Sequence, residues 1–239
     1  MPGTSTTNGK LSRRERERLM RRRDIMEAAQ AVFAEKGYTH ATLEEIAQRA
    51  EFGKGTLYNY FEGGKEDILF AIFDGIYDDL CQLIQEAFSP ETIATRPFRE
   101  AFHGFAAAWI AFFVERQELF MILVKEAYRM VFDDDPGKAS YFQTQSERMV
   151  RALTPALEVA MQSGVLKPLP PHAVAHMILG NLKGIQMHLC LQHSDEIRTD
   201  TVVGSSEAAA RFLTTLLCDG LLTQPAATLA PHSPPTQQA

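Results

Sequence analysis

The sequence predicts an all-α protein: a three-helix head with a helix-turn-helix, joined to a larger six-helix body. Three observations lead there. Apolar residues recur at helical spacing along most of the chain, with no convincing stretch of alternation. A short polar segment, "AEFGKGTLYNYFEGGKED" at residues 50–67, sits between regular amphipathic stretches. Charge is segregated as well: the 239-residue chain carries a net −6, yet residues 1–66 sum to +2 and residues 67–239 to −8. Within the first 23 residues, eight basic groups face two acidic ones. A local basic region on an acidic body is the pattern of a small polyanion-binding head.

The elements follow in order. Residues 1–16 read as a disordered basic extension and 225–239 as a disordered tail, both rich in Pro, Ser or Thr. Ile25, Ala28, Ala29, Val32 and Phe33 form one helical stripe, stopped at Gly37. "TLEE" at 42–45 is a capping box that opens a short second helix. A turn containing Gly53 leads into a third, about 54–61, which completes a head spanning residues 17–66. A long amphipathic helix then runs from Ile68 to Ala87 and stops near Ser89-Pro90. Further helices are expected from Pro97, over 118–131, over 140–163 with a kink at Pro155, over 172–193 and over 206–222. That makes nine helices, the body occupying residues 67–224.

The opening segment finds its use in this frame. A recognition helix must enter the major groove, so its outer face needs small or polar side chains. Gly55 and Thr56 supply them, Thr56 offering a methyl or a hydroxyl to a base edge. Lys54, Tyr58, Asn59, Tyr60 and Lys65 can reach flanking phosphates, which set register. The helix starts near Thr42 and Gly64 offer free amides to the same phosphates. Leu57 and Phe61 should face inward. Tyr58 and Tyr60 could also serve as core aromatics, and Arg21, Arg22 and Arg23 as a solvated helix face or a DNA contact.

"IMEAAQAVFAEKGYTHATLEEIAQRAEFGKGTLYNYF", residues 25–61, resembles the N-terminal signature of the tetracycline-repressor-like (TetR) family of regulators. The likeness reaches about Asp67; beyond it only helix number, helix length and the closing "CDGLL" agree. The resemblance implies a homodimer in which three helices bind double-stranded operator DNA and a fourth links them to a ligand-binding body. It also implies that Thr42, Lys54, Gly55, Thr56, Tyr58, Asn59, Tyr60 and Lys65 lie at or near DNA. Two departures stand out. Glu51 occupies a turn position where the family has Gly, so it is expected in a left-handed conformation. "FEGGKE" is one residue longer than the family's loop, and the added Gly should be absorbed before the fourth helix.

In the body, Phe102, Phe105, Trp109 and Phe112, with Met121, Met149, Met177 and His188, are the candidate lining of a pocket for a bulky, largely apolar effector. Drug-efflux control and lipid-metabolism control both suit such a pocket, with a lean to the former. Ile178, Leu182, Ile185 and Leu189 with Phe212, Leu216 and Leu217 are the candidate dimer interface. His172 and His176 have a spacing that can hold a metal, but no carboxylate of obvious role accompanies them, so no metal and no cofactor is assigned. His188 and His193 read as polar pocket or interface residues. Cys81, Cys190 and Cys218 suggest buried thiols in a reducing cytoplasm. No apolar run is long enough for a bilayer, and no nucleophile–base pair, phosphate loop or zincin motif supports an enzyme. The expectation is a cytoplasmic one-component transcriptional regulator, a repressor released from a near-palindromic operator by its effector. The alternatives are an activator, or a helical ligand-binding module without DNA binding.

Overall fold

A computed structural model describes residues 12–132, 135–191 and 205–220. Among these every regular element is helical: α1 (Arg13–His40), α2 (Leu43–Arg49), α3 (Lys54–Tyr58), α4 (Lys65–Ala87), α5 (Pro90–Thr95), α6 (Phe98–Val114), α7 (Gln117–Val131), α8 (Pro136–Gln162), α9 (Pro171–Leu191) and α10 (Ser206–Thr214), which tightens into a π-helical turn, Thr215–Asp219. The all-α reading holds, with one helix more than the nine expected. The extra helix is α5: Ser89 caps it by accepting from the Thr92 amide at 3.1 Å, and Pro90, read as a stop, begins it at a position where its missing N–H costs nothing. Helix α1 also starts earlier than expected, so residues 13–16 are helical. Ser12 and Glu15 close a reciprocal capping box there. The expectations for residues 1–11, for the tail at 225–239, for His193 and for the end of the last helix lie outside the described residues.

Helix α8 runs through Pro155 as one element. Pro155 and Arg151 both lie on its exposed side, so the carbonyl that loses its partner there faces solvent. Cys81 is buried as expected, whereas Cys218, in the π-helical turn Thr215–Asp219, is exposed.

Two hydrophobic clusters hold the chain together. The head cluster joins Ile25, Ala29 and Phe33 of α1, Ile46 of α2, Leu57, Phe61, and Ile68, Leu69 and Ile72 of α4, with Leu123 and Met130 reaching in from α7. The body cluster joins the distal half of α4 to α6, α8, α9 and α10. Helix α4 belongs to both. Leu57 and Phe61 point inward, as the recognition-helix argument required.

The head's turn geometry is specific. Helix α1 breaks at Gly37 (φ 75°, ψ 158°). Thr42 and Glu45 form the predicted capping box, with Glu45 N–H donating to Thr42 Oγ1 at 3.3 Å and Thr42 N–H to Glu45 Oε2 at 3.1 Å. After α2, Glu51 takes φ 59°, the one non-glycine with positive φ among the described residues. Its amide donates to the Gln48 carbonyl and that of Phe52 to the Ala47 carbonyl. This is a Schellman ending in which the left-handed position is filled by Glu rather than Gly. The added glycine is absorbed in the turn before α4, where Gly64 adopts φ 67° and a side chain would press on Leu43 Cδ1 at 3.2 Å.

Glu51→Gly should therefore raise stability by about 0.5–1 kcal/mol, the left-handed penalty less the extra freedom gained by the unfolded chain. Thermal melting checks this, the expected rise being about 1–4 °C.

Candidate nucleic-acid interface and effector cavity

The outward side of α3 is built from few side chains. Gly53 caps the helix with extended backbone (φ −72°, ψ 148°), and its carbonyl accepts from the Thr56 and Leu57 amides. Leu57 pins the helix from beneath, leaving Lys54, Gly55, Tyr58 and Asn59 exposed and Thr56 half-exposed. A Cβ at Gly55 would meet no atom within 4 Å, and its backbone is not left-handed. Nothing in the chain itself demands glycine there. Tyr58 is 42% exposed, while Tyr60 is half-buried against the head core.

Lys54 pairs with Glu44 of α2, which raises the lysine's pKa and lowers that of the carboxyl. Both partners stand in water, so a phosphate can replace the glutamate at small cost. Thr42, also exposed, already spends its hydroxyl on the cap of α2.

Lys65 is used differently from the expectation. Its ammonium donates to the carbonyls of Tyr38 at 2.7 Å and Ala41 at 2.9 Å, and lies 4.5 Å from the Tyr38 ring centroid. Desolvation there lowers its pKa. Lys65 thus ties the end of α1 to the start of α4 and has its donors turned inward, away from a phosphate. Among the arginines, Arg22 lies over the Phe61 ring at 5.0 Å and Arg23 pairs with Glu27; all of Arg21–Arg23 are exposed.

The body holds a cavity of about 440 Å³ between α4, α6, α7, α8 and α9. One wall is Phe73, Ile76, Tyr77 and Leu80 of α4; facing it are Trp109, Phe113, Phe120, Leu123, Met149 and Met187. Trp109 Nε1 donates to Gln186 Oε1 at 2.9 Å, so the two buried polar atoms satisfy each other. Tyr77 is buried enough to push its hydroxyl up to about 12. Lys183 also lines the cavity: the residue is exposed overall, but its ammonium is crowded enough for desolvation to lower its pKa, and it donates to Ser146 Oγ at 3.3 Å.

Only part of the predicted lining is here. Trp109 and Met149 line the cavity. Phe105 sits behind Trp109 in an edge-on contact at 5.8 Å, fully in the core. Phe102 and Met177 border a separate apolar groove toward α10, and Phe112 borders a cleft beside α1 under Arg116. Met121 and His188 stand outside the cavity, His188 exposed and Met121 half-buried. Tyr77, Tyr128, Lys183 and Gln186 were not anticipated. The available signal was Trp109, whose N–H needs an acceptor once buried, and Gln186, a polar residue on an apolar helix face.

The predicted dimer residues divide likewise. Ile178 and Leu182 are buried inside this chain, where α9 packs on α6 and α8, and Ile185 and Leu189 pack half-buried against the same core. Those apolar positions serve the core, and the free face of α9 is the opposite one. Met177, Gly180 and Gly184 are exposed along it. On α10 and its last turn, Phe212 and Leu217 are exposed and Leu216 half-buried. Among the described residues no helix is long and apolar enough to cross a membrane.

Comparison with known proteins agrees with this architecture. Residues 25–72 match the bacterial regulatory proteins, tetR family. The uncharacterized HTH-type transcriptional regulator YhgD of Bacillus subtilis is 27% identical over 169 residues, covering 66% of this chain and 78% of that protein. The fatty acid metabolism regulator protein of Bacillus subtilis is 45% identical over 49 residues, 20% of this chain and 25% of that protein. The transcriptional regulator FadR from Bacillus subtilis, solved in complex with stearoyl-CoA, superposes with a TM-score of 0.66 over 84% of this chain and 99% of that one, at 20% identity, which shows a shared fold. Residues 25–72 thus carry a tetR-family head, and the chain as a whole is similar in architecture to TetR-family transcriptional regulators.

Proposed function

We propose that the protein is a cytoplasmic homodimeric repressor that leaves a near-palindromic operator when an amphipathic, largely apolar molecule enters the body cavity. One observation carries the reading: residues 73–80 of α4 wall the cavity, and residues 68–73 of the same helix are core of the head. A ligand that shifts α4 must shift the head with it. Lys54, Gly55, Thr56, Tyr58 and Asn59 form the groove-facing surface in this reading, with Thr42 and Tyr60 at its margin. Lys65 acts from behind, as a brace.

Gel-shift titration on the promoter upstream of the protein's own gene tests the DNA side. Gly55→Ala leaves the fold's stability unchanged or slightly higher, since the new methyl meets nothing, yet lowers operator affinity about tenfold or more. Equal operator binding by the variant would remove α3 from the groove.

For the effector, a long-chain acyl compound fits best: an apolar body for the aromatic walls and one anionic end for Lys183. That FadR of Bacillus subtilis was solved with stearoyl-CoA supports the class. Trp109, the chain's one tryptophan, reports on the cavity directly. Titration with a fatty acid or its CoA thioester should change Trp109 emission and release operator DNA over the same concentrations. Lys183→Met should weaken an acidic ligand about tenfold or more and leave a neutral one of equal length unaffected. Emission and operator affinity both unmoved by acyl compounds would exclude this class.

Dimerisation is assigned to the free face of α9 with Phe212 and Leu217. A Cβ at Gly180 or Gly184 meets nothing within 4 Å, leaving room for a partner helix to approach closely. Sedimentation should find a dimer at micromolar concentration. Gly180→Arg should yield a folded monomer that no longer spans two half-sites about 34 Å apart; a dimer unaffected by the substitution would move the interface elsewhere.

A further inference from the structure

Helices α8 and α9 carry a cluster that the regulator reading leaves unused. His172 and His176 are one turn apart on α9, with ring centroids 4.8 Å apart, and both face Glu147 of α8. His172 Nε2 lies 3.1 Å from Glu147 Oε1, and His176 Nε2 lies 3.7 Å from Oε2. The carboxylate that the histidine pair lacked in sequence arrives through the packing of α8 on α9.

We propose that Glu147, His172 and His176 form a site for a divalent transition-metal cation of the Zn²⁺ class, pinning α8 to α9. Two imidazoles and one carboxylate are a donor set that such ions favour over Ca²⁺ or Mg²⁺. With metal–ligand bonds near 2.0–2.1 Å, tetrahedral ligands stand about 3.3–3.4 Å apart. The two His–Glu distances bracket that value, and no pair of donor atoms exceeds 4.8 Å. Rotamer adjustment of half-exposed side chains closes the remainder. Three protein donors leave a fourth position to water, on the side of the surface concavity lined by Gln143, Thr144 and Ser146.

The competing occupant is Arg151, whose Nε donates to Glu147 Oε1 at 3.0 Å. Its side chain is 77% exposed, so it can swing into solvent for the small cost of a surface ion pair. Arg148, the other nearby cation, is already drawn away to Asp78 at 2.5 Å. If the cluster is instead a plain network of surface ion pairs, it binds no metal and Arg151 is simply its end.

The test uses the full chain, free of any polyhistidine tag and stripped with a chelator. Co²⁺ is titrated by visible absorption and Zn²⁺ by competition with a chromophoric chelator, with melting followed in parallel. We expect one cation per chain bound at this site and a higher melting temperature with Zn²⁺. His176→Ala and Glu147→Gln each lower affinity about tenfold or more, and Arg151→Ala, by removing the competitor, raises it. Metal binding left unchanged by His176→Ala and Glu147→Gln, or no stoichiometric binding at all, overturns the proposal. Should His176→Ala fail to fold, Glu147→Gln, which keeps side-chain size, decides the matter alone.

Discussion

Everything in this structure depends on α4 being one continuous helix buried at both ends in different cores. Ile68, Leu69 and Ile72 are fully buried in the head cluster, and Leu80, Cys81 and Ile84 in the body cluster. Each large apolar side chain so placed contributes about 1.5–3 kcal/mol. Neither end can detach without exposing several of them. Between the two sets Phe73 stays buried against Phe142 of α8, and polar contacts are added: Tyr141 Oη donates to Asp74 Oδ1 at 2.8 Å, Gln145 Nε2 to the same oxygen at 3.0 Å, and Arg148 pairs with Asp78. Those contacts tie α4 to α8 beside the cavity wall. The polar contacts are exposed and exchangeable with water, whereas the apolar ones are not. A ligand can therefore bias where the head sits, by no more than its difference in affinity for the two arrangements.

A second path joins head and body. Leu123 and Met130 place α7 in the head core, and between them Glu126 is buried with only an edge of contact to water, paired to Arg129 at 2.7 Å. Leu123 also lines the cavity. So α7, like α4, touches both the ligand space and the end of α1, where Lys65 gathers the carbonyls of Tyr38 and Ala41. A lysine that braces this corner is a better use of a partly buried ammonium than a phosphate contact. A phosphate would have to draw the ammonium away from two part-buried carbonyls that would then lose their donor.

The head was legible because its signals are local. A capping box needs two residues three apart, a left-handed turn needs one, and Glu51, Thr42 and Gly64 occupy the conformations their sequence context demanded. The body was less legible because helical periodicity shows which residues are apolar and not which neighbour they meet. On α6 the apolar residues run most of the way round, so Phe102, Phe105, Trp109 and Phe112 face four different surroundings while looking alike in sequence. On α9, Ile178 and Leu182 were read as an interface because they form the apolar stripe; the body core claimed that stripe first. Lys183 and Gln186 escaped notice because a single polar residue on a helix is ordinarily solvated, and only the meeting of α6 with α9 gives Gln186 the Trp109 indole as partner.

What the protomer's own packing does not explain is then informative. Glycine in a helix costs roughly 1 kcal/mol relative to alanine unless something requires it. At Gly64 the requirement is visible, in a left-handed φ and in Leu43 pressed close. At Gly55, Gly180 and Gly184 there is neither positive φ nor a neighbour within 4 Å of a would-be Cβ. Gly104, exposed on α6, is equally open, so empty space alone identifies nothing. What separates the other three is company. Gly55 lies among exposed Lys54, Tyr58 and Asn59, groups suited to phosphate and groove, and Gly180 and Gly184 lie on a helix face beside exposed Met177. That company is what the proposed reading uses: DNA over Gly55, and a second copy of the chain over Gly180 and Gly184.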